Sequence, residues 1–264
     1  MDDVTAALGD VLGGWWARED RAVVFDFNGT LSDDEPLLLQ IFAELFDDHL
    51  GWRLTPEDYA SRLAGYSDRE IIERVVAEQA PGDPGLVELL LEKRRDRYQE
   101  LARSESPIRS GTSALVEALD AAGVPMAIVT GAQRPDVELV LAHSRVGDKL
   151  SRVVAVEDIV RGKPHPEGFL AGAALLGVDP AAVLVFEDSV AGARGARAAG
   201  MVVVGVEGGG SPVRDLAAVT DIVVPALDPC LLDGLPGWSA RGDAGVDGDA
   251  GAVGPEQVEG VLDR

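Results

Sequence analysis

Residues 22–35 read Ala22-Val23-Val24-Phe25-Asp26-Phe27-Asn28-Gly29-Thr30-Leu31-Ser32-Asp33-Asp34-Glu35. The run from Ala22 to Phe25 is apolar and β-favouring without alternation, the pattern of a strand buried on both faces. Asp26 falls at its C-terminal end, where open α/β sheets place their chemistry. Gly29 lets the chain turn away, because glycine tolerates positive φ. A carboxylate at that point suits a metal ligand, a nucleophile or both.

The rest of the chain supplies the sheet this strand needs. From residue 108 onward helical and strand-like segments alternate. Helices are predicted at 111–122, 134–144, 166–177 and 189–199, and strands at 124–130, 152–156, 183–187, 201–206 and from Asp221. Strands separated by helical segments imply βαβ crossovers and a parallel sheet. Residues 34–107 read differently, as helix throughout. Leu37, Leu38, Ile41, Leu45 and Phe46 recur at helical spacing. Thr55-Pro56 and Ser67-Asp68-Arg69-Glu70 are helix starts, the second in capping-box form. The chain therefore divides into an α/β core of Rossmann-like type (1–33 and 108–234), an inserted helical cap (34–107) and a Gly/Asp/Ala-rich segment (235–264) without apolar periodicity, read as a flexible tail. Residues 1–20 read as a short helix or arm whose Trp15 and Trp16 pack on the body rather than on a partner.

Composition narrows the function. The chain has 264 residues, is 46% hydrophobic and carries a formal charge of −23. No Lys/Arg cluster is present for nucleic-acid phosphates. Cys230 is the one cysteine, so no intrachain disulfide forms. Asp2 and Asp3 replace the basic start of a leader, and no apolar run is long enough for a bilayer; cytoplasmic location without membrane association is the default. Oligomeric state is not legible.

Four places carry the chemistry, each at or just beyond a predicted strand end: Asp26 with Asn28, Thr130-Gly131, Lys163-Pro164, and Glu187-Asp188-Ser189. Singly, Thr130 is a strand-end hydroxyl, Lys163 a surface lysine and Asp188 or Ser189 a helix cap. As an ordered set on one edge of a parallel sheet they make a site for a cation and an anion. Mg²⁺ suits the hard oxygen donors, since no His/Cys cluster exists. His165 and Arg161 flank Lys163 as loop side chains. Arg69 either reaches substrate from the cap or forms a surface ion pair.

The ordered motifs Asp-Phe-Asn-Gly-Thr, Val-Thr-Gly, Gly-Lys-Pro and Phe-Glu-Asp-Ser-Val-Ala-Gly resemble those of the haloacid dehalogenase superfamily across nearly all of residues 22–225. The helical insertion resembles its type-1 cap, and the pattern is similar to the β-phosphoglucomutase and phosphoglycolate phosphatase branch. The resemblance implies a Mg²⁺-dependent phosphatase of a small phosphorylated metabolite, or a phosphomutase. It implies Asp26 as the nucleophile that becomes an aspartyl-phosphate. Thr130 and the Gly131 amide would bind phosphoryl oxygens, and Lys163 would neutralise charge. Asp26, the carbonyl of Asn28, Asp188 and Glu187 would surround Mg²⁺, with Glu187 as ligand or supporting partner.

One position departs from the pattern. The family places Asp two residues after the nucleophile as general acid–base; here it is Asn28, whose amide has no useful pKa. Its carbonyl is unchanged, so the departure concerns turnover and not metal binding. Slow turnover on easily expelled leaving groups, a proton from another group or water, a non-catalytic phosphate-binding role, an engineered replacement, and deamidation at Asn28-Gly29 are the readings this leaves open.

Overall fold

The computed structural model describes residues 2–63, 66–102, 107–208 and 211–238. Six parallel strands form one sheet: β1 (Ala22–Phe25), β2 (Met126–Val129), β3 (Val153–Val154), β4 (Val183–Glu187), β5 (Val202–Val206) and β6 (Ile222–Val224), in the order β3-β2-β1-β4-β5-β6. The order reverses at β1, which pairs with β2 on one side and β4 on the other. That reversal opens a crevice beyond the strand C-termini, the place where such sheets bind ligands.

The strands were legible because they are buried on both faces. All four residues of β1, all four of β2 and all five of β4 are buried. Side chains nevertheless sort by parity. Val23, Phe25, Met126, Ile128, Leu184 and Phe186 pack with one cluster, and Val24, Ala127, Val129, Val183 and Val185 with the other. Phe25 and Phe186 stack across β1 and β4 with centroids 5.4 Å apart.

Helices cover both faces. On the first lie α1 (Asp2–Trp16), α6 (Ser110–Ala121) and α7 (Arg134–Ala142). On the second lie α8 (Glu167–Leu176), α9 (Val190–Ala198) and α10 (Val213–Ala217). The sequence reading missed α10, five residues long with only Leu216 buried. The paired tryptophans do pack on the body. Trp15 is buried, and its Nε1 donates to the carbonyls of Ala22 and Ala182, both at 3.1 Å. Trp16 donates to the Pro236 carbonyl and meets Trp238 edge-on. Leu235 is buried too, so packed chain runs past the start of the expected tail. The rest of that tail lies outside the described residues.

Between β1 and α6 stand four helices: α2 (Glu35–Leu50), α3 (Pro56–Arg62), α4 (Asp68–Gln79) and α5 (Pro84–Ala102). The capping boxes at Thr55 and Ser67 form as their sequences direct. The α5 helix packs on α2 and α4, and also on α7. Its Arg94 is buried and ion-pairs with Asp68 of α4 at 3.0 Å and with Asp136 of α7. Burial pushes both carboxyls up, Asp136 to about 6, while Arg94 opposes the rise. No helix of the described residues is long and apolar enough to cross a membrane.

Candidate active site

At the end of β1 the chain must turn within two residues, and Gly29 makes the turn with φ 77°. No other residue fits: a Cβ there would lie 2.1 Å from Asp188 Oδ2. The same economy holds at Gly192, where a Cβ would meet the Glu187 carboxylate at 2.1–2.3 Å. The glycines therefore let the β1 turn and the start of α9 close around one group of carboxylates.

That group is Asp26, Glu187 and Asp188. All three are buried, and each offers an oxygen within 4.8 Å of the others. Lys163, from the loop before α8, donates its Nζ to Asp26 Oδ1 and to Glu187 Oε2, the latter at 2.7 Å. Ser189 caps α9 by accepting from the Gly192 amide, and its hydroxyl and amide also donate to Glu187 Oε1 at 2.5 and 3.1 Å. The helix cap and the site are thus one arrangement. Thr30 donates to Asp188 Oδ1 at 3.3 Å.

Electrostatics leave this cluster incomplete. Burial pushes the Asp26 carboxyl up to about 7, and the charge of Glu187 adds to the rise against Lys163. Burial pulls the Lys163 ammonium down, but Asp26 and Glu187 more than reverse it, so it stays charged. Two buried carboxylates, Asp26 and Glu187, share one ammonium, and buried charge needs compensation. A hard divalent cation among these oxygens balances the charge and keeps Asp26 ionised. The donor set fits Mg²⁺ on those grounds.

Thr130 ends β2 and is buried. Its Oγ1 accepts from the Ala132 amide at 2.9 Å, so its own proton is left to donate into the cleft. Gly131 lies beneath Ser67 of the inserted helices, with room for a Cβ at 3.9 Å. Asp26, Asn28, Thr130, Gly131, Lys163, Glu187 and Asp188 all line one cleft of about 240 Å³. Glu35, Tyr59, Tyr66, Ser67 and Asp68 line the same cleft. Arg69 is not brought there. Its guanidinium is half exposed and paired with Glu88 at 2.9 Å and Glu73 at 3.3 Å, so the expected substrate contact gives way to the surface ion pair. His165 lines the cleft; Arg161 is exposed and paired with Glu167.

The Asn28 side chain faces a third feature. Its Nδ2 donates to Asp34 Oδ2 at 2.7 Å, and the same oxygen accepts from the Tyr98 hydroxyl at 2.6 Å. Asp34 is fully buried, and burial pushes its carboxyl up against those two bonds. Asp34, Glu35 and Tyr98 were missed from sequence. Asp34 and Glu35 close the opening stretch 22–35, and that position was the available signal for them.

A family described as haloacid dehalogenase-like hydrolase matches residues 21–200. Protein CbbY of Rhodobacter capsulatus is 32% identical over 192 residues, covering 70% of this chain and 85% of that protein. A beta-phosphoglucomutase of Mycobacterium tuberculosis is 31% identical over 208 residues, covering 70% and 79%. The crystal structure of CbbY from Rhodobacter sphaeroides in complex with phosphate shares the fold at TM-score 0.70 and 24% identity, covering 80% of this chain and 96% of that one.

Proposed function

Because this chain belongs to the haloacid dehalogenase-like hydrolases, we propose that it is a Mg²⁺-dependent phosphatase of a small phosphorylated metabolite, working through phosphorylation of Asp26. It is a phosphoric monoester hydrolase of that family. The observation that carries the finer reading is the cluster of three buried carboxylates, two of them bridged by Lys163, facing a cleft that also receives the Thr130 hydroxyl.

Phosphoryl transfer asks a protein mainly for position and charge neutralisation. Asp26, Asp188, Glu187 and the Asn28 carbonyl would hold Mg²⁺, which supplies Lewis-acid stabilisation of the phosphoryl oxygens. The Asp26 carboxylate attacks phosphorus, and the ester oxygen departs. Lys163 holds the nucleophile in place and offsets charge on the transferring group. The Thr130 hydroxyl and the Gly131 amide orient the phosphoryl oxygens. Water then releases phosphate and regenerates Asp26.

A panel of sugar, polyol and nucleotide monophosphates, assayed for free phosphate with and without Mg²⁺, tests the proposal. Substrate-dependent phosphate release that disappears in Asp26→Asn is the expected result. Release unaffected by that substitution sinks the assignment. A phosphomutase returns isomerised ester and responds to a bisphosphate, so the same panel separates the two.

A further inference from the structure

The reaction proposed above needs a proton delivered once and removed once, and the amide of Asn28 can do neither. Alkoxide leaving groups must be protonated as they depart, and the attacking water must lose a proton. The Asn28 side chain is also engaged with Asp34. The same cleft holds a carboxyl that no step has used. Glu35 opens α2, immediately after the β1 turn, and lines the same cleft as Asp26, Asn28 and Thr130. Tyr59 of α3 lines the cleft with it. Its Oε2 is buried and has no hydrogen-bond partner among the described residues. A buried carboxyl oxygen without a partner is costly, and a substrate oxygen in the cleft gives it one.

We propose that Glu35 is the general acid–base that position 28 does not provide. In the first half-reaction the bond from Asp26 oxygen to phosphorus forms while the ester P–O bond breaks. The Glu35 proton passes to the departing oxygen, which leaves as the alcohol. In the second half-reaction the Glu35 carboxylate takes a proton from water as the water oxygen bonds to phosphorus. The Asp26–phosphorus bond breaks, inorganic phosphate leaves, and Glu35 is again protonated. The cycle consumes one water and needs no other reactant.

The surroundings of Glu35 suit both halves. Burial pushes its carboxyl up to about 7, with Asp34 beside it and Asp68 of α4 adding to the rise and Tyr59 opposing it. A group near the working pH can serve as acid and then as base. This inference rests on the Asp26 phosphatase reading, and its test separates the two.

The experiment compares an alkyl phosphate from the active panel with p-nitrophenyl phosphate, whose leaving group departs without protonation. Single-turnover and burst kinetics in Mg²⁺ follow parent, Glu35→Gln and Asp26→Asn. Glu35→Gln is expected to lose about 100-fold in the phosphorylation step on the alkyl ester. It should keep the p-nitrophenolate burst within about threefold and then stall at the phosphoenzyme. Equal loss on both esters, or no loss on the alkyl ester, overturns the role of Glu35. An active Asp26→Asn overturns the phosphatase reading instead. If Glu35→Gln does not fold, Tyr59→Phe reads the same group. Removing that hydroxyl shifts the alkaline limb of kcat/KM on the alkyl ester upward, and an unmoved limb overturns the proposal.

Discussion

Restoring the carboxyl at position 28 is the obvious way to speed this protein, yet the structure predicts that Asn28→Asp alone carries a pH-dependent cost. The amide nitrogen donates to Asp34 Oδ2 at 2.7 Å. An aspartate in the same rotamer sets oxygen against oxygen at that distance. Two ionised carboxylates 2.7 Å apart repel by about 6 kcal/mol at an effective dielectric of 20. The pair escapes this by keeping one proton, as like-charged carboxyls do. That raises a folded-state pKa well above the unfolded value. A carboxyl with a raised folded pKa binds more protons in the fold than in the unfolded chain, so stability falls as pH rises between the two values. For one proton the slope is about 1.4 kcal/mol per pH unit. Denaturant unfolding of parent and Asn28→Asp at pH 5.5 and 7.5, in EDTA, reads it directly. The stability gap between them should widen between the two pH values by up to about 2.7 kcal/mol, the full figure applying where Asp34 is ionised in the parent. Asn28→Asp/Asp34→Asn restores a donor opposite an acceptor and should close most of the gap. A gap equal at both pH values would refute the reasoning, since the Asn28–Asp34 contact would then not govern position 28.

Three further outcomes follow from geometry. Arg94→Met strands Asp68 and Asp136 in the interface of α4, α5 and α7, a loss of about 3–5 kcal/mol. Both carboxyls already titrate above their unfolded values, Asp136 at about 6, so the loss measured by urea unfolding should be larger at pH 8 than at pH 5. Gly29→Ala forces a side chain onto Asp188 Oδ2 at positive φ; about 3 kcal/mol of stability and the phosphatase activity should go together, and a variant with parental melting and turnover would contradict the close approach. Deamidation of Asn28 needs the Gly29 amide nitrogen, which donates to the Ser32 carbonyl at 2.8 Å; peptide mapping of folded protein after prolonged incubation should find residue 28 still an amide.

Much of the site was readable because its chemistry sits at strand ends. Asp26, Thr130 and Glu187-Asp188 each close a fully buried apolar run, and the strand signal locates them without knowledge of the sheet order. Lys163 was expected just beyond a strand over 152–156, but β3 shrinks to Val153–Val154 and the lysine reaches the site from the loop before α8. What stayed hidden depends on contacts between distant residues. The partner that takes Arg69 away from the cleft, Glu88, lies 19 residues on in another helix. The burial of Arg94 between α4 and α7 gives no periodic signal, because a buried cation disrupts the apolar pattern that marks a core face. Asp34 and Glu35 look like ordinary first-turn acids, which helix N-termini favour anyway. Only the packing of α3 and α5 against that turn, bringing Tyr59 and Tyr98 to them, sets the two apart.

The central claim is that phosphorus passes through the carboxylate of Asp26. Rapid acid quench during turnover of an active phosphate ester, followed by digestion and mass spectrometry, tests it most directly. The account predicts one phosphoryl group on the peptide containing Asp26, formed within the first turnover and absent from Asp26→Asn. Steady phosphate release from Asp26→Asn, or a phosphoryl group mapped to any other residue, would contradict it.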